Sequence, residues 1–198
     1  SKELTALNYY TNEEITIPLD PTQTPGENAQ RYFAKYNKQK RTFEALTELI
    51  QETADDIQYL ESISNALDIA LSEADLAQIK EELMQSGYIR RKHTKKKVKL
   101  TSKPMHYISS DGYDMYVGKN NLQNEELTFS FANGNDWWFH AKGAPGSHVI
   151  VKSGVDELPD RTFEEAGRLA AYYSKNRGAD KVEIDYIQKK HVKKPNGA

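Results

Sequence analysis

Tyr36, Phe43, Ile50 and Ile57 recur every seven residues, and Leu46, Leu60 and Leu67 occupy the position three later. Two residues of that second set, Gln39 and Thr53, are polar, so the seam is imperfect. An apolar stripe sustained over so many heptads specifies a long helix, and the helix must bury that stripe against another one. The pattern predicts a coiled-coil arm from about Glu27 to about Leu71. Glu44, Glu48, Glu52, Asp55, Asp56 and Glu61 read as its solvated face. In residues 1–26, Tyr9, Tyr10, Ile15, Ile17 and Leu19 lie among Pro18, Pro21, Pro25 and Gly26. Glu13 to Leu19 alternates polar and apolar, and the prolines exclude helix, so a small hairpin or cap at the arm tip is expected. Ser72 with Asp75 resembles a capping box that opens a second helix, Glu73 to Ser86. Leu76, Ile79 and Leu83 share one face of it, Gly87 is its C-cap, and it folds back on the first.

The net charge of -2 conceals a strong asymmetry. Residues 1–86 carry 7 Lys/Arg against 16 Asp/Glu, whereas residues 87–106 carry 8 Lys/Arg and no acid. Such a basic cluster, from Arg90 to Lys103, suits phosphate, with a solvated connector as the alternative. With no cysteine in the chain, disulfide stapling is excluded. No apolar run approaches the roughly 20 residues that span a bilayer. Ser1-Lys2-Glu3 lacks both an initiator Met and the basic-then-apolar order of a signal peptide, which reads as a fragment of a longer protein.

The remaining sequence predicts strands at Met105 to Ser109 and Tyr113 to Val117 around an Asp111-Gly112 turn. Gly118-Lys119-Asn120-Asn121 leads into a helix running through Glu125, Leu127, Phe129 and Ala132, with Asn121 as N-cap and Lys119 placed to meet a phosphate. Asp136 to Val151 reads as strand, turn, strand. Pro145-Gly146-Ser147 breaks the run, and a turn centred near Ala144 sets His140 opposite His148 with Lys142 beside them. Trp137 to Phe139 mixes core and surface, and Trp138 is the tryptophan assigned to the core. Rings, imidazoles, a lysine and an exposed turn backbone on one small surface suit RNA, through stacking and phosphate contact. A helix from Thr162 to Asn176 and an alternating strand from Lys181 to Ile187 complete the order. The expected fold is α+β: a long coiled-coil helix plus a compact domain of helices packed on a mixed or antiparallel sheet. Its divisions are 1–26 (tip), 27–87 (arm and second helix), 88–104 (basic linker) and 105–198 (compact domain).

Asp136 to Ile150, preceded by Gly118-Lys119-Asn120-Asn121 and followed by Lys189 to Ala198, resembles the NFACT-R domain of the NFACT family. Ile15 to Pro21 followed by Asn28 to Phe33 is similar to the returning arm of the family's coiled coil. In the family the partner helix precedes that arm, and a further strand-forming stretch follows the position of Ala198. The resemblance implies the carboxy-terminal part of an RqcH-like ribosome-associated quality-control factor. Such a factor binds the large ribosomal subunit and tRNA and supports untemplated alanine tailing of stalled chains, in the cytoplasm. The RNA contacts expected on that basis are Lys119, Asn120, Trp137, His140, Lys142, Ser147, His148 and Lys190, with Arg90, Arg91, Lys95, Lys96 and Lys97 on the linker.

Other function classes stay open at this point. The same family carries an adhesin reading, a surface protein that binds fibronectin or fibrinogen. The heptad stripe alone would support a homodimer, or an arm left poorly ordered without its partner. No nucleophile elbow, P-loop or dinucleotide fingerprint is present, and Ser147 and His148 as strand neighbours would face opposite ways, so a binding module rather than an enzyme is expected. No cofactor is expected, and without cysteine or a His-x-x-x-His helix neither is a metal.

Overall fold

The computed structural model describes residues 2–90 and 101–194. Arg91, Lys95, Lys96 and Lys97 lie outside the described residues. Two units are distinguished, one ending at Asp55 and one beginning at Asp56.

In the first unit, β1 (Glu3–Asn8) and β2 (Glu13–Pro18) form an antiparallel hairpin, with Glu3 opposite Pro18 and Asn8 opposite Glu13. α1 (Pro25–Ile69) then begins. Its start is a capping box: Thr24 Oγ1 accepts from Glu27 N at 3.3 Å, and Glu27 Oε2 accepts from Thr24 N at 2.7 Å. Pro25 takes the first helical position, where its missing N–H costs nothing. Asn28, 3% exposed, accepts from Asp20 N at 2.8 Å and donates to Asp20 O at 3.0 Å, stitching the hairpin exit to the helix. The heptad residues stand in the open: Phe43 is 72% and Ile50 68% exposed.

In the second unit, α2 (Glu73–Gln85) packs on the end of α1 through Ile63, Ala66 and Ile79. Ser72 caps α2 by accepting from Asp75 N, as expected, but the Asp75 carboxylate turns to Leu71 N at 2.9 Å instead of to Ser72. The strands β3 (Met105–Ile108), β4 (Asp114–Val117), β5 (Trp137–Ala141), β6 (Val149–Lys152) and β7 (Ile184–Gln188) form one sheet in the order β3-β4-β6-β5-β7. Every neighbouring pair is antiparallel. α4 (Asp160–Tyr172) covers one face, setting Ala166 and Ala170 on Met115, Val117, Phe139, Val149 and Val151. The opposite face receives α3 (Asn121–Glu126) and the π-helical turn Leu127–Phe131 that continues it, with Leu127 and Ala132 on Ile150. The fold is α+β.

Several element limits differ from the sequence expectation, and four of the differences bear on the site. Asn120, not Asn121, is the N-cap of α3, its side chain accepting from Gln123 N. The helix expected through Ala132 widens into the π turn after Glu126. α4 stops at Tyr172 because the next residues bond elsewhere: Tyr173 O accepts from Ser147 N and Lys175 N donates to Pro145 O. The last strand starts at Ile184, three residues later than its alternation suggests.

Candidate nucleic-acid interface

β5 and β6 pair with Trp137 opposite Val151, Trp138 opposite Ile150 and Phe139 opposite Val149. One more step of that register sets His140 opposite His148, and their ring centroids lie 5.2 Å apart at 80°. Alternation along β5 divides its side chains between the faces. Phe139 is fully buried under α4, and Trp137 on the same side donates from its indole N–H to Val155 O at 3.2 Å. Trp138 and His140 point to the other face. There Trp138 lies 5.7 Å from His140 and 5.2 Å from His148, a cluster of three rings. Trp138 is half-buried against the Leu127–Ile150 cluster. Phe139 is therefore the deepest aromatic of the strand.

The imidazoles are held as neutral groups. Burial, then the neighbouring His140, pushes His148 down to about 3. Thr128 Oγ1 lies 2.7 Å from His148 Nδ1, and Asn124 Oδ1 accepts from His148 N at 2.9 Å. Burial also lowers His140, against the upward pull of the Asp185 charge. At neutral pH the pair thus contributes polar edges and π faces, not positive charge. Gly118 makes this packing possible: a Cβ there would sit 2.1 Å from Asn124 Oδ1.

Three expected phosphate or surface contacts turn inward instead. Lys119 Nζ meets Asp75 Oδ1 at 2.6 Å, and the two side chains are 12% and 2% exposed. Ser102 Oγ donates to the same Asp75 oxygen at 2.6 Å. Burial pushes the Asp75 carboxyl up, but the hydrogen bonds from Lys119, Ser102 and Leu71 N outweigh it and hold it at about 2. Asn120, 4% exposed, is used up by its cap and by a 2.7 Å bond to Gln78 Oε1. Ser147, 1% exposed, lines a small polar cavity with Asn65 and Asn124. Lys119 and Asn120 therefore bind α2, Lys119 neutralising the buried Asp75 carboxylate and Asn120 bonding Gln78, whereas Ser147 is buried with its backbone N–H donated to Tyr173 O.

Arg90, Lys142 and Lys190 are exposed. Lys142 lies 3.2 Å from Glu183 Oε2, and the hydrogen bond to that carboxylate raises its pKa. The structure adds rings that the sequence reading missed. His106 stacks on Tyr116 at 4.6 Å and 9°, and Phe131 meets Tyr116 edge-on at 4.8 Å. Lys152 Nζ lies 4.8 Å from the centre of Phe131 and 2.5 Å from Asp136 Oδ2. Pairing aligns His106, Tyr116, Ile150, Trp138 and Ile187 in one row across all five strands. The period-two pattern of β3 and β4 carried the signal, since His106 and Tyr116 fall on the face of Trp138 once the strands pair. Among the described residues no three His, Cys, Asp or Glu side chains gather to hold a metal ion.

Comparison with known proteins identifies the family. The family described as NFACT N-terminal and middle domains matches residues 1–102, and the NFACT protein RNA binding domain matches residues 103–198. The Rqc2 homolog RqcH of Streptococcus suis is 47% identical over 191 residues, covering 96% of this chain and 34% of its own length. The Rqc2 homolog RqcH of Bacillus subtilis is 42% identical over 204 residues, covering 100% of this chain and 35% of its own length. The chain thus spans about a third of the length of these relatives. A solved structure of the C-terminal of the fibronectin/fibrinogen-binding protein from Streptococcus suis superposes with a TM-score of 0.78 at 44% identity, covering 89% of this chain and 70% of that one. On two family matches that meet between residues 102 and 103, and on relatives of this identity over nearly every residue, the chain belongs to the NFACT family.

Proposed function

We propose that this chain is the carboxy-terminal, RNA-binding part of a ribosome-associated quality-control factor. Its partners are the large ribosomal subunit and tRNA, and in the whole protein it supports untemplated alanine tailing of stalled chains in the cytoplasm. The observation that carries the reading is a coincidence of two findings. The RNA-binding family match covers residues 103–198, and the same residues build a sheet face bearing His106, Tyr116, Trp138 and His140. Rings on a sheet with cations at its margin suit unpaired bases and phosphate. This part acts by binding: His148 Nδ1 is taken by Thr128 and Ser147 is buried, so neither is free for nucleophilic chemistry.

A second reading rests on the likeness to the fibronectin/fibrinogen-binding protein of Streptococcus suis. On that reading the chain is part of a cell-surface adhesin. A salt titration of binding to large subunits and tRNA, with immobilised fibronectin and fibrinogen in parallel, separates the two. Micromolar or tighter RNA binding that weakens steeply with salt supports the proposal. Replacing Lys95, Lys96 and Lys97 by Ala should then reduce the logarithmic salt slope by about 2, at roughly 0.7 per cation on a single strand. Saturable matrix-protein binding with no RNA binding would overturn it.

A further inference from the structure

Past Tyr172 the chain forms a compact turn. Arg177 N donates to Ser174 O at 3.1 Å and Ala179 N to Asn176 O at 3.0 Å, with Gly178 at a φ of 93° that favours glycine. The turn is tied to the tip of the central hairpin by the Ser147–Tyr173 and Lys175–Pro145 backbone bonds. Gly146 faces Ser174 so closely that a Cβ would lie 2.9 Å from the Ser174 Cβ. This turn and the last part of α4 enclose an open cleft of about 230 Å³, lined by Arg168, Tyr172, Asn176, Arg177, Ala179 and Val182 among others.

The cations of this cleft are not consumed by the fold. The Arg177 guanidinium lies 3.8 Å from the centre of the Tyr172 ring and donates to the Tyr172 hydroxyl, which holds its plane. Among the described residues it has no carboxylate at ion-pair distance, in contrast to Lys119, Lys142, Lys152 and Lys175. Arg168 reaches, among the described residues, only Glu164, at 3.8 Å, where side-chain exposures of 82% and 69% leave the pair largely screened. An apolar floor, a stacked Arg–Tyr plane, a second guanidinium and the Asn176 amide therefore converge on one small opening. A base needs a π face and an amide edge; its phosphate needs a fork of N–H donors.

We infer that this cleft is a subsite for one unpaired nucleotide of an RNA strand, with Arg177 and Tyr172 stacking the base and Arg168 taking the phosphate. The inference rests on the RNA-binding reading above and gives it a location that the central hairpin alone does not supply. The test uses the 198-residue chain, a short labelled single-stranded RNA, a blunt duplex of the same sequence and an acidic peptide, compared by fluorescence anisotropy. Arg177→Ala should weaken the single strand about tenfold, as expected for loss of one stacked base, and the duplex less than about threefold. Arg177→Lys should recover little, since it restores charge without the planar stack. A 4-thiouridine-substituted strand should crosslink within residues 168–182. Equal weakening of both RNAs with full rescue by Lys would reduce the cleft to diffuse charge and overturn the subsite. Preference for the acidic peptide would overturn it too. RNA binding unaffected by Arg177→Ala sinks the subsite and leaves the RNA reading standing, whereas a wild-type chain that binds neither RNA removes both.

Discussion

The Asp75–Lys119 pair makes a prediction that separates structural from RNA-contacting lysines. Asp75→Asn keeps the shape and leaves an ammonium 12% exposed without its counter-ion. Breaking one partner of a buried pair costs about 3 kcal/mol, at the lower end here because Lys119 is not fully enclosed. Part of that cost has a pH signature. Asp75 titrates at about 2 in the folded chain against roughly 3.9 for an ordinary aspartate, so its carboxylate stabilises the fold by about 2 kcal/mol. Because the folded pKa is depressed, this contribution is complete above roughly pH 5 and is lost as pH falls through 4 towards 2. Urea unfolding followed by the fluorescence of Trp137 and Trp138, which share the unit of the pair, reads both effects. Asp75→Asn should lower stability by about 3 kcal/mol at pH 7, and its deficit relative to wild type should shrink by about 2 kcal/mol between pH 5 and pH 2.5. Lys119→Met in the Asp75→Asn background should restore part of the loss, since it removes the stranded charge. A deficit below about 1 kcal/mol at pH 7, or one independent of pH, refutes the buried-pair argument. So does a Lys119→Met single variant that loses RNA affinity at unchanged stability, for then the ammonium faces RNA after all.

Further outcomes follow from other contacts. His148, pushed down by burial and by His140, should keep a neutral ring in an NMR titration until the pH nears 4; a midpoint near 6.5 would mean that the ring cluster is open to solvent. As pH falls below the ordinary histidine range, the stability that depends on this neutral ring should decline, because the unfolded chain takes up the proton first. Gly118→Ala drives a methyl group into Asn124, which is buried and bonded to His148 N, and should cost about 2 kcal/mol and lower Tm by roughly 5 °C. The exposed heptad face predicts self-association at high concentration in sedimentation velocity, abolished by Phe43→Glu with Ile50→Glu; a wild-type monomer at every concentration rules out a dimer through that seam.

The elements with strong local signals were legible in the sequence. The heptads defined α1 to within two residues, since their period is a property of neighbours in the chain. The His140–His148 juxtaposition followed from turn position alone, because antiparallel register propagates from the turn. The placement of Lys119 was not legible, for the opposite reason. Its partner lies 44 positions earlier on a separate helix, and nothing local distinguishes a lysine that will neutralise Asp75 from one that will meet a phosphate. The end of α4 was displaced by the same cause. Tyr173 and Lys175 carry helical neighbours but give their backbone groups to Ser147 and Pro145, a long-range competition that propensity does not record.

Long-range polar contacts also give α2 two working faces where the periodicity showed one. Ile79 and Leu83 meet α1, as the apolar pattern requires. Asp75, Gln78 and Glu82 form a second stripe at helical spacing and carry hydrogen bonds to Lys119, Asn120, Gln123 and Asn121, most of them 2.6–2.7 Å long. An apolar stripe of the same area would bury surface but tolerate sliding, whereas each of these bonds is satisfied in only one alignment of α2 against α3. Glu82 shows what that alignment costs: among the described residues its buried Oε2 has no hydrogen-bond partner, and burial pushes the carboxyl up. A contact built this way loses heavily when one partner is removed and little when a pair is replaced together. Single substitutions along the stripe should therefore be costly even though it contains no hydrophobic residue, and the Asp75–Lys119 cycle measures that asymmetry directly.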